Sequence, residues 1–546
     1  MRFFPAFRHF GLVAAVLVAA LGLWATSLHP AWSLLAALGG LLCGLGIYDL
    51  LQPRRAVLRN YPVIGHFRYL LEGIRPEIRQ YFIESDSDEL PFSRRQRSIV
   101  YQRAKSDLDK RPFGTLENVY RSDYEWINHS LQPVHIADHD FRVTVGEGLA
   151  QPYSASVFNI SAMSFGALSA NAIRALNAGA RRGGFYHDTG EGGISPYHRE
   201  HGGDLVWEIG TGYFGCRDTD GRFSEERFVA NAREPQVKMI ELKLSQGAKP
   251  GQGGLLPGPK VTGEIASTRG VPEGQDCHSP AAHSAFSTPI ELLQFVARLR
   301  ELSGGKPTGF KLAIGHPWEW FAIARAMQET GLVPDFIVVD GGEGGTGAAP
   351  LEFTDHVGVP MREGLMLVHN TLVGLDLRDR VRVAAAGKIV SAFDLARTLA
   401  VGADWCNAAR GFMFALGCIQ SRSCHTDRCP TGVATQDHGR QRGLVPEDKA
   451  TRVCNFQQNT LKALRDLLMA AGVEHPEKLG PEHVIRRVSQ TQVSALGQLY
   501  PALRRGQLLE SPGADGHGHV VFDLFWEHAR ADSFAAPARV RASQPL

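Results

Sequence analysis

The chain has 546 residues, 44% of them hydrophobic and 21% charged, with a net charge of +2 and eight cysteines. This is ordinary globular composition, long enough for one large domain with additions or for two to three average ones. The near-neutral charge, with no basic stripe interleaved with aromatics, excludes nucleic acid as a partner. The scattered cysteines exclude a secreted disulfide scaffold.

The first fifty residues stand apart. Residues 10–28, FGLVAAVLVAALGLWATSL, carry no charge, and neither do residues 31–48, AWSLLAALGGLLCGLGIY. As helices, each roughly spans the ~30 Å hydrocarbon core of a bilayer. Only His29 and Pro30 separate them, which predicts a transmembrane helical hairpin within residues 1–52. Arg2, Arg8 and His9 precede it and Arg54, Arg55 and Arg59 follow, so both ends and the body behind them are expected in the cytoplasm. A cleaved signal peptide is the alternative, disfavoured by the second span that follows at once; a buried hairpin in a soluble protein is another. Residues 53–150 form a mixed, charged extension. Its ESDSDELPFSRRQR stretch reads as an exposed loop or linker, and no chemical motif is legible there.

Over residues 151–440 the pattern becomes short apolar runs separated by helix-length stretches. The candidate strands are VFNISAM, GFYHDT, LVWEIG, KMIELKL, GFKLAI, DFIVVD, RVRVAA and DWCNAAR. Eight such runs, apolar as strands buried on both faces must be, predict an α/β fold, a (β/α)8 TIM barrel, preceded by the hairpin. SAFDLARTLAVGA reads as one of its crossover helices. Barrel enzymes place chemistry at the C-terminal strand ends. Here those ends are glycine-rich: SAMSFGALS, TGEGG with Glu191, GTGYFG, GAKPGQGG, DGGEGGTGAAP, AAGK and NAARG. Glycines after the seventh and eighth strands suit backbone N–H groups gathered about a phosphate. Lys311, inside GFKLAI, points inward as a cation for a flavin ring, or else snorkels to the surface. Residues 441–546 read as a helical extension, with NFQQNTLKALRDLLMAAG amphipathic and FDLFWEHARA a second short helix.

GCIQSRSCHTDRCPTGVA places Cys418, Cys424 and Cys429 within twelve positions. Three thiols are an odd number for a disulfide framework, and the gaps between them are not zinc-finger gaps. A zinc site completed by His425 and three inert thiols are two readings of the residues alone.

MSFGALS, TGEGG, GAKPGQGGLLPGPKV, DGGEGGTGAAP and GCIQSRSCHTDRCPTGVATQD, in this order, resemble the FMN-binding glutamate synthase family, in particular stand-alone members with an N-terminal membrane segment. The resemblance implies FMN and a 3Fe-4S cluster held by Cys418, Cys424 and Cys429. It places Met163 and Ser164 beside the flavin, has Gly212 and Lys311 contact it, and has Gly387, Arg410 and Gly411 hold its phosphate. Lys243, Gln246, Lys249 and Arg269 match positions that bind 2-oxoglutarate; Glu191, Lys249 and Met163 are the expected catalytic groups. The implied reaction is reductive amination of 2-oxoglutarate to glutamate, with electrons passing from cluster to flavin. The family's AKPGEGG is AKPGQGG here, with Gln252, and its SPPPHHD is SPAAHSA, which keeps His283. These departures leave open a different 2-oxo or amino acid, or a non-catalytic electron-relay subunit. The ammonia source and an electron donor, ferredoxin or a partner subunit, are expected to be separate from this chain.

Overall fold

A computed structural model of the chain describes residues 7–53, 55–83, 85, 91–511 and 516–537. Arg2 and Arg54, invoked above for orientation, lie outside the described residues. The chain forms two compact units, residues 1–88 and 89–546.

In the first unit, helices Phe10–Ala25 and Ser33–Leu51 pack as a hairpin. With the 3-10 turn before it, the second runs 22 residues from Pro30 to Leu51, long and apolar enough to cross a bilayer; the first is shorter, at 16 residues. Residues 26–29 form the turn instead of extending the first helix, because Pro30 lacks the N–H that would continue it. The seam is built from small residues. A Cβ on Gly22 would fall 2.4 Å from Ala36 N, and one on Gly39 2.4 Å from Ala19 N. The outward face carries Leu17, Leu21, Trp24, Leu34, Leu38 and Leu41, all exposed.

In the second unit, the eight runs read from the sequence are the eight strands of a closed parallel barrel. They are β1 (Phe158–Ile160), β2 (His187–Asp188), β3 (Leu205–Ile209), β4 (Val237–Lys243), β5 (Thr308–Leu312), β6 (Phe336–Asp340), β7 (Arg382–Ala386) and β8 (Trp405–Ala408). Closure comes from β8 pairing with β1, Cys406 opposite Phe158 through Ala408 opposite Ile160. The crossover helices are fixed by local chemistry. Ser169 caps helix Ala170–Gly183, which ends on left-handed Gly184; Ser391 and Asp394 form a capping box on Ala392–Ala400.

The flanking segments pack onto this barrel. Helix Pro446–Ala471 buries Phe456 against Phe158 and Phe412, and its Gln457 Nε2 donates to Ser156 Oγ at 3.0 Å. It also ties down helix Arg94–Lys105, since Asn459 Nδ2 donates to Arg103 O at 2.8 Å. Residues 89–150 and 441–537 therefore share the barrel's unit.

Candidate active site at the barrel mouth

Two charge clusters occupy the barrel, one within it and one at its C-terminal mouth. Strand alternation builds the inner one. Trp207 turns outward to stack on Phe228, so its neighbour Glu208 turns inward. The inward set includes Asp188 of β2, Glu208 of β3, Glu241 of β4 and Lys311 of β5. Lys311 Nζ is ion-paired with Glu208 and lies 3.3 Å from Glu241 Oε1; all these groups are buried. One oxygen from each of the three carboxylates lies within 4.8 Å of the others. Burial pushes Asp188 up to about 7, with repulsion from Glu208 adding to it and Lys311 opposing. Glu241 is raised well above the carboxylate range by burial and by Asp188. Lys311 thus points inward as expected, already neutralised by acids. The acids are the part that sequence reasoning missed. Their signal was a lone Asp or Glu within an apolar run (YHD, WEI, IEL).

The mouth reverses the ratio. Glu191 sits in the turn after β2, shaped by left-handed Gly190 and Gly193. Its Oε2 lies 3.1 Å from Nζ of Lys243, the last residue of β4. Burial alone would raise the Glu191 pKa, but Lys243, Arg269 and Lys249 outweigh it and hold the carboxyl below its usual range. Lys249, in the loop after β4, donates to Gly253 O at 3.0 Å; burial lowers its pKa against the pull of Glu191. Arg269 ends helix Gly263–Arg269, which Thr262 caps and left-handed Gly270 terminates. Its guanidinium is buried, lies over the Phe214 ring at 5.1 Å and donates to Phe165 O at 3.3 Å, while Nε has no partner. Two glycines make room for the carboxylate: a Cβ on Gly210 would lie 2.7 Å from Glu191 Oε2, and one on Gly254 3.0 Å from Oε1.

The other expected residues surround this cluster. Met163 is buried after β1, its N–H donating to Asp188 O at 3.4 Å, and Ser164 lies against Gly190. Gly212, after β3, is where a side chain would strike the Phe214 ring. The Gln246 carbonyl accepts from Lys249 N at 3.3 Å, and the half-buried side chain is not drawn into the ion-paired group. Of the two departures, Gln252 is exposed at the rim, whereas His283 is pinned inside. Its ring bonds Tyr213 OH at 3.0 Å and Lys243 O at 2.8 Å, and burial lowers its pKa to about 4.

A phosphate cradle would require glycines and donors between β6, β7 and β8, and such a cradle is present. Cβ atoms on Gly341 and Gly387 would both strike Met361 and Glu343, and the Glu343 carboxylate seated there accepts from Met361 N at 2.8 Å. Burial raises the pKa of this Glu343 carboxyl, so the group that occupies the cradle is held toward its neutral form. Arg410, at the end of β8, abuts Gly345, whereas Gly411 lets the chain pack on the Phe456 ring. The cradle, the neighbouring cation Arg410 and inward Lys311 fit FMN.

The cysteine loop lies against the same mouth. A Cβ on Gly347, in the loop after β6, would sit 4.0 Å from Cys424 Cβ, and buried Lys260 donates to Cys424 O at 2.8 Å. Cys418, Cys424 and Cys429 are close enough to perturb one another. Burial and the other two thiols push Cys418 up to about 11, while Arg410 opposes. Burial would likewise raise Cys429, but Thr431 and backbone N–H groups of residues 431–434 hold it below its usual value. Among the described residues, the three sulfurs are not a set within 4.8 Å, as ligands of one ion would be. Gln420, Arg422 and Asp427 are left-handed without being glycine, so the loop is held in a costly conformation. Three neighbouring thiols, with Arg410 and Lys260 beside them to offset thiolate charge, are the donor type that an iron–sulfur centre takes.

The closed parallel barrel, with ionisable groups gathered at its C-terminal mouth, defines a (β/α)8-barrel enzyme. The conserved region of glutamate synthase matches residues 128–474. A glutamate synthase large subunit-like protein of Bacillus subtilis, YerD, is 39% identical over 81% of this chain and 91% of its own length. Archaeal glutamate synthase [NADPH] of Methanocaldococcus jannaschii is 36% identical over 59% of this chain, and the archaeal-type enzyme of Thermotoga neapolitana 34% over 60%. The chain spans 60% and 62% of the length of these last two. A mutant flavocytochrome b2 with pyruvate bound covers 80% of this chain at 12% identity and a TM-score of 0.39, too loose a likeness to add weight. The chain belongs to the glutamate synthase family and is an oxidoreductase of the class acting on CH–NH2 donors.

Proposed function

We propose that this chain is an FMN- and iron–sulfur-dependent, glutamate synthase-like oxidoreductase that reductively aminates 2-oxoglutarate, tethered to a membrane by its hairpin. The observation that carries the reading is the excess of cations at the mouth. Lys243, Lys249 and Arg269 face the single carboxylate of Glu191, leaving two positive charges for a ligand with two carboxylates. Arg269 lies within this group, and its planar guanidinium is the fork that pairs with a carboxylate.

Proton traffic follows from the same groups. Glu191, kept ionised by its neighbours, accepts a proton at Oε as ammonia adds to the keto carbon. Lys249, whose ammonium burial makes a readier donor, returns one to the departing oxygen. When bound, FMN supplies the hydride and the cluster the single electrons that replenish it. Gly387, Arg410 and the cradle of Gly341 and Met361 would hold the FMN phosphate; Met163, Ser164, Gly212 and Lys311 would border its ring; Cys418, Cys424 and Cys429 would hold the cluster. The electron donor, ferredoxin or a partner subunit, is separate.

The test is reoxidation of the reduced protein with a panel of 2-oxo acids plus ammonium. Flavin absorbance should return with 2-oxoglutarate and not with monocarboxylic 2-oxo acids. Equal rates across the panel would sink the substrate assignment. For the cofactors, Cys424→Ser should abolish the cluster's electron paramagnetic resonance signal with flavin still bound, and a persisting signal would show that the ligands are others.

A further inference from the structure

After the hairpin and the short helix Ala56–Asn60, helix Gly65–Ile78 and the π-helical turn Arg79–Ile83 carry an apolar face that is exposed among the described residues. Phe67, Leu70, Leu71 and Ile74 recur at i, i+3, i+4 and i+7 and are 67%, 58%, 54% and 41% exposed; Phe82 extends the row at 85%. Arg68, Arg75 and Arg79 run alongside at i+1, i+8 and i+12, on one flank of that face.

The place of this helix is set by a buried carboxylate. Asp49, near the end of the second hairpin helix, is fully buried; its Oδ2 accepts from Val63 N at 2.9 Å, and its Oδ1 pairs with His66 Nε2 at 2.9 Å. Ile64 presses on the start of the first helix, where a Cβ on Gly11 would lie 2.6 Å from Ile64 Cγ1. The amphipathic helix is thereby pinned at the level where both hairpin helices end, which is the edge of any bilayer they span.

We propose that residues 65–83 form an interfacial helix lying in the headgroup layer of that bilayer, with Phe67, Leu70, Leu71 and Ile74 among the acyl chains and Arg68, Arg75 and Arg79 on anionic lipid phosphates. This rests on the hairpin as membrane anchor. Lipid is the occupant because the hairpin to which this helix is pinned has an apolar exterior and the exposed apolar face is flanked by a row of arginines, the pairing that recognises an anionic lipid surface.

The full chain is reconstituted in phosphatidylcholine vesicles with or without phosphatidylglycerol, carrying the photo-crosslinker p-benzoylphenylalanine at Phe67, Glu72 or, in the hairpin, Leu21. Lipid adducts are expected at positions 21 and 67 and not at 72. The yield at 67 should rise several-fold with phosphatidylglycerol, and this rise should disappear in Arg68→Gln/Arg75→Gln/Arg79→Gln, with the position-21 adduct unchanged. Lipid adducts at 21 with protein adducts at 67 would overturn the proposal by showing a protein on this face. Equal lipid yields at 67 and 72 would overturn the orientation. Lipid adducts at neither 21 nor 67 would remove the anchor itself.

Discussion

The barrel interior sets three carboxylates against one lysine, and the barrel mouth sets three cations against one carboxylate. The two clusters share strand β4, where inward positions two apart carry Glu241 for the first and Lys243 for the second. They differ in how the imbalance is relieved. Inside, burial favours the neutral acids, so protons retained on Glu241 and, up to about pH 7, on Asp188 relieve the surplus negative charge. At the mouth, the surplus of cations suits an anion. One barrel thus relieves one cluster by protonation and offers the other to a ligand.

The largest effect is expected from breaking the inner cluster. Lys311→Met strands its acids and should cost about 3–5 kcal/mol of stability, read as denaturation midpoint. Adding Glu208→Gln, which removes the charge ion-paired with Lys311, should restore part of that loss, and a double mutant no better than the single would show that the cluster is not electrostatically balanced. The mouth comes next. Arg269→Ala should weaken 2-oxo acid binding by about 2–4 kcal/mol at unchanged flavin content, since a buried carboxylate then loses its partner; unchanged affinity would place the ligand elsewhere.

A pH series sharpens the contrast further. The folded-state pKa of Asp188, about 7, lies above its ordinary 3.8, so the folded protein binds the extra proton between those values. Stability from this group is therefore full near pH 4 and is lost as pH rises through 7. Asp188→Asn should remove this slope, and the variant should gain on the wild type as pH goes from 4 to 7. Parallel stability curves for the two proteins would refute the assignment.

All eight barrel strands were legible because burial on both faces leaves short, dense apolar runs, and the ends of those runs mark the mouth. The grouping of the three cysteines was visible in the spacing, whereas what they hold was implied only by the family resemblance. The inner acids were not: Asp188, Glu208 and Glu241 are far apart in sequence, and only strand alternation and barrel closure turn them to one point. Glu343, in a glycine-rich loop, gave no hint that it would sit in the cradle. The first hairpin helix was read as longer than it is because composition cannot see the turn that Pro30 imposes. The amphipathic helix after it was passed over because arginines break its apolar face into single letters, a pattern visible only at a period of 3.6.

Gly210 and Gly254 each leave the space that one oxygen of the Glu191 carboxylate occupies. A methyl group at Gly210 would fall 2.7 Å from Oε2, the oxygen paired with Lys243, so that oxygen would have to move. The smallest possible change to the sequence there becomes a change in which atom can take a proton.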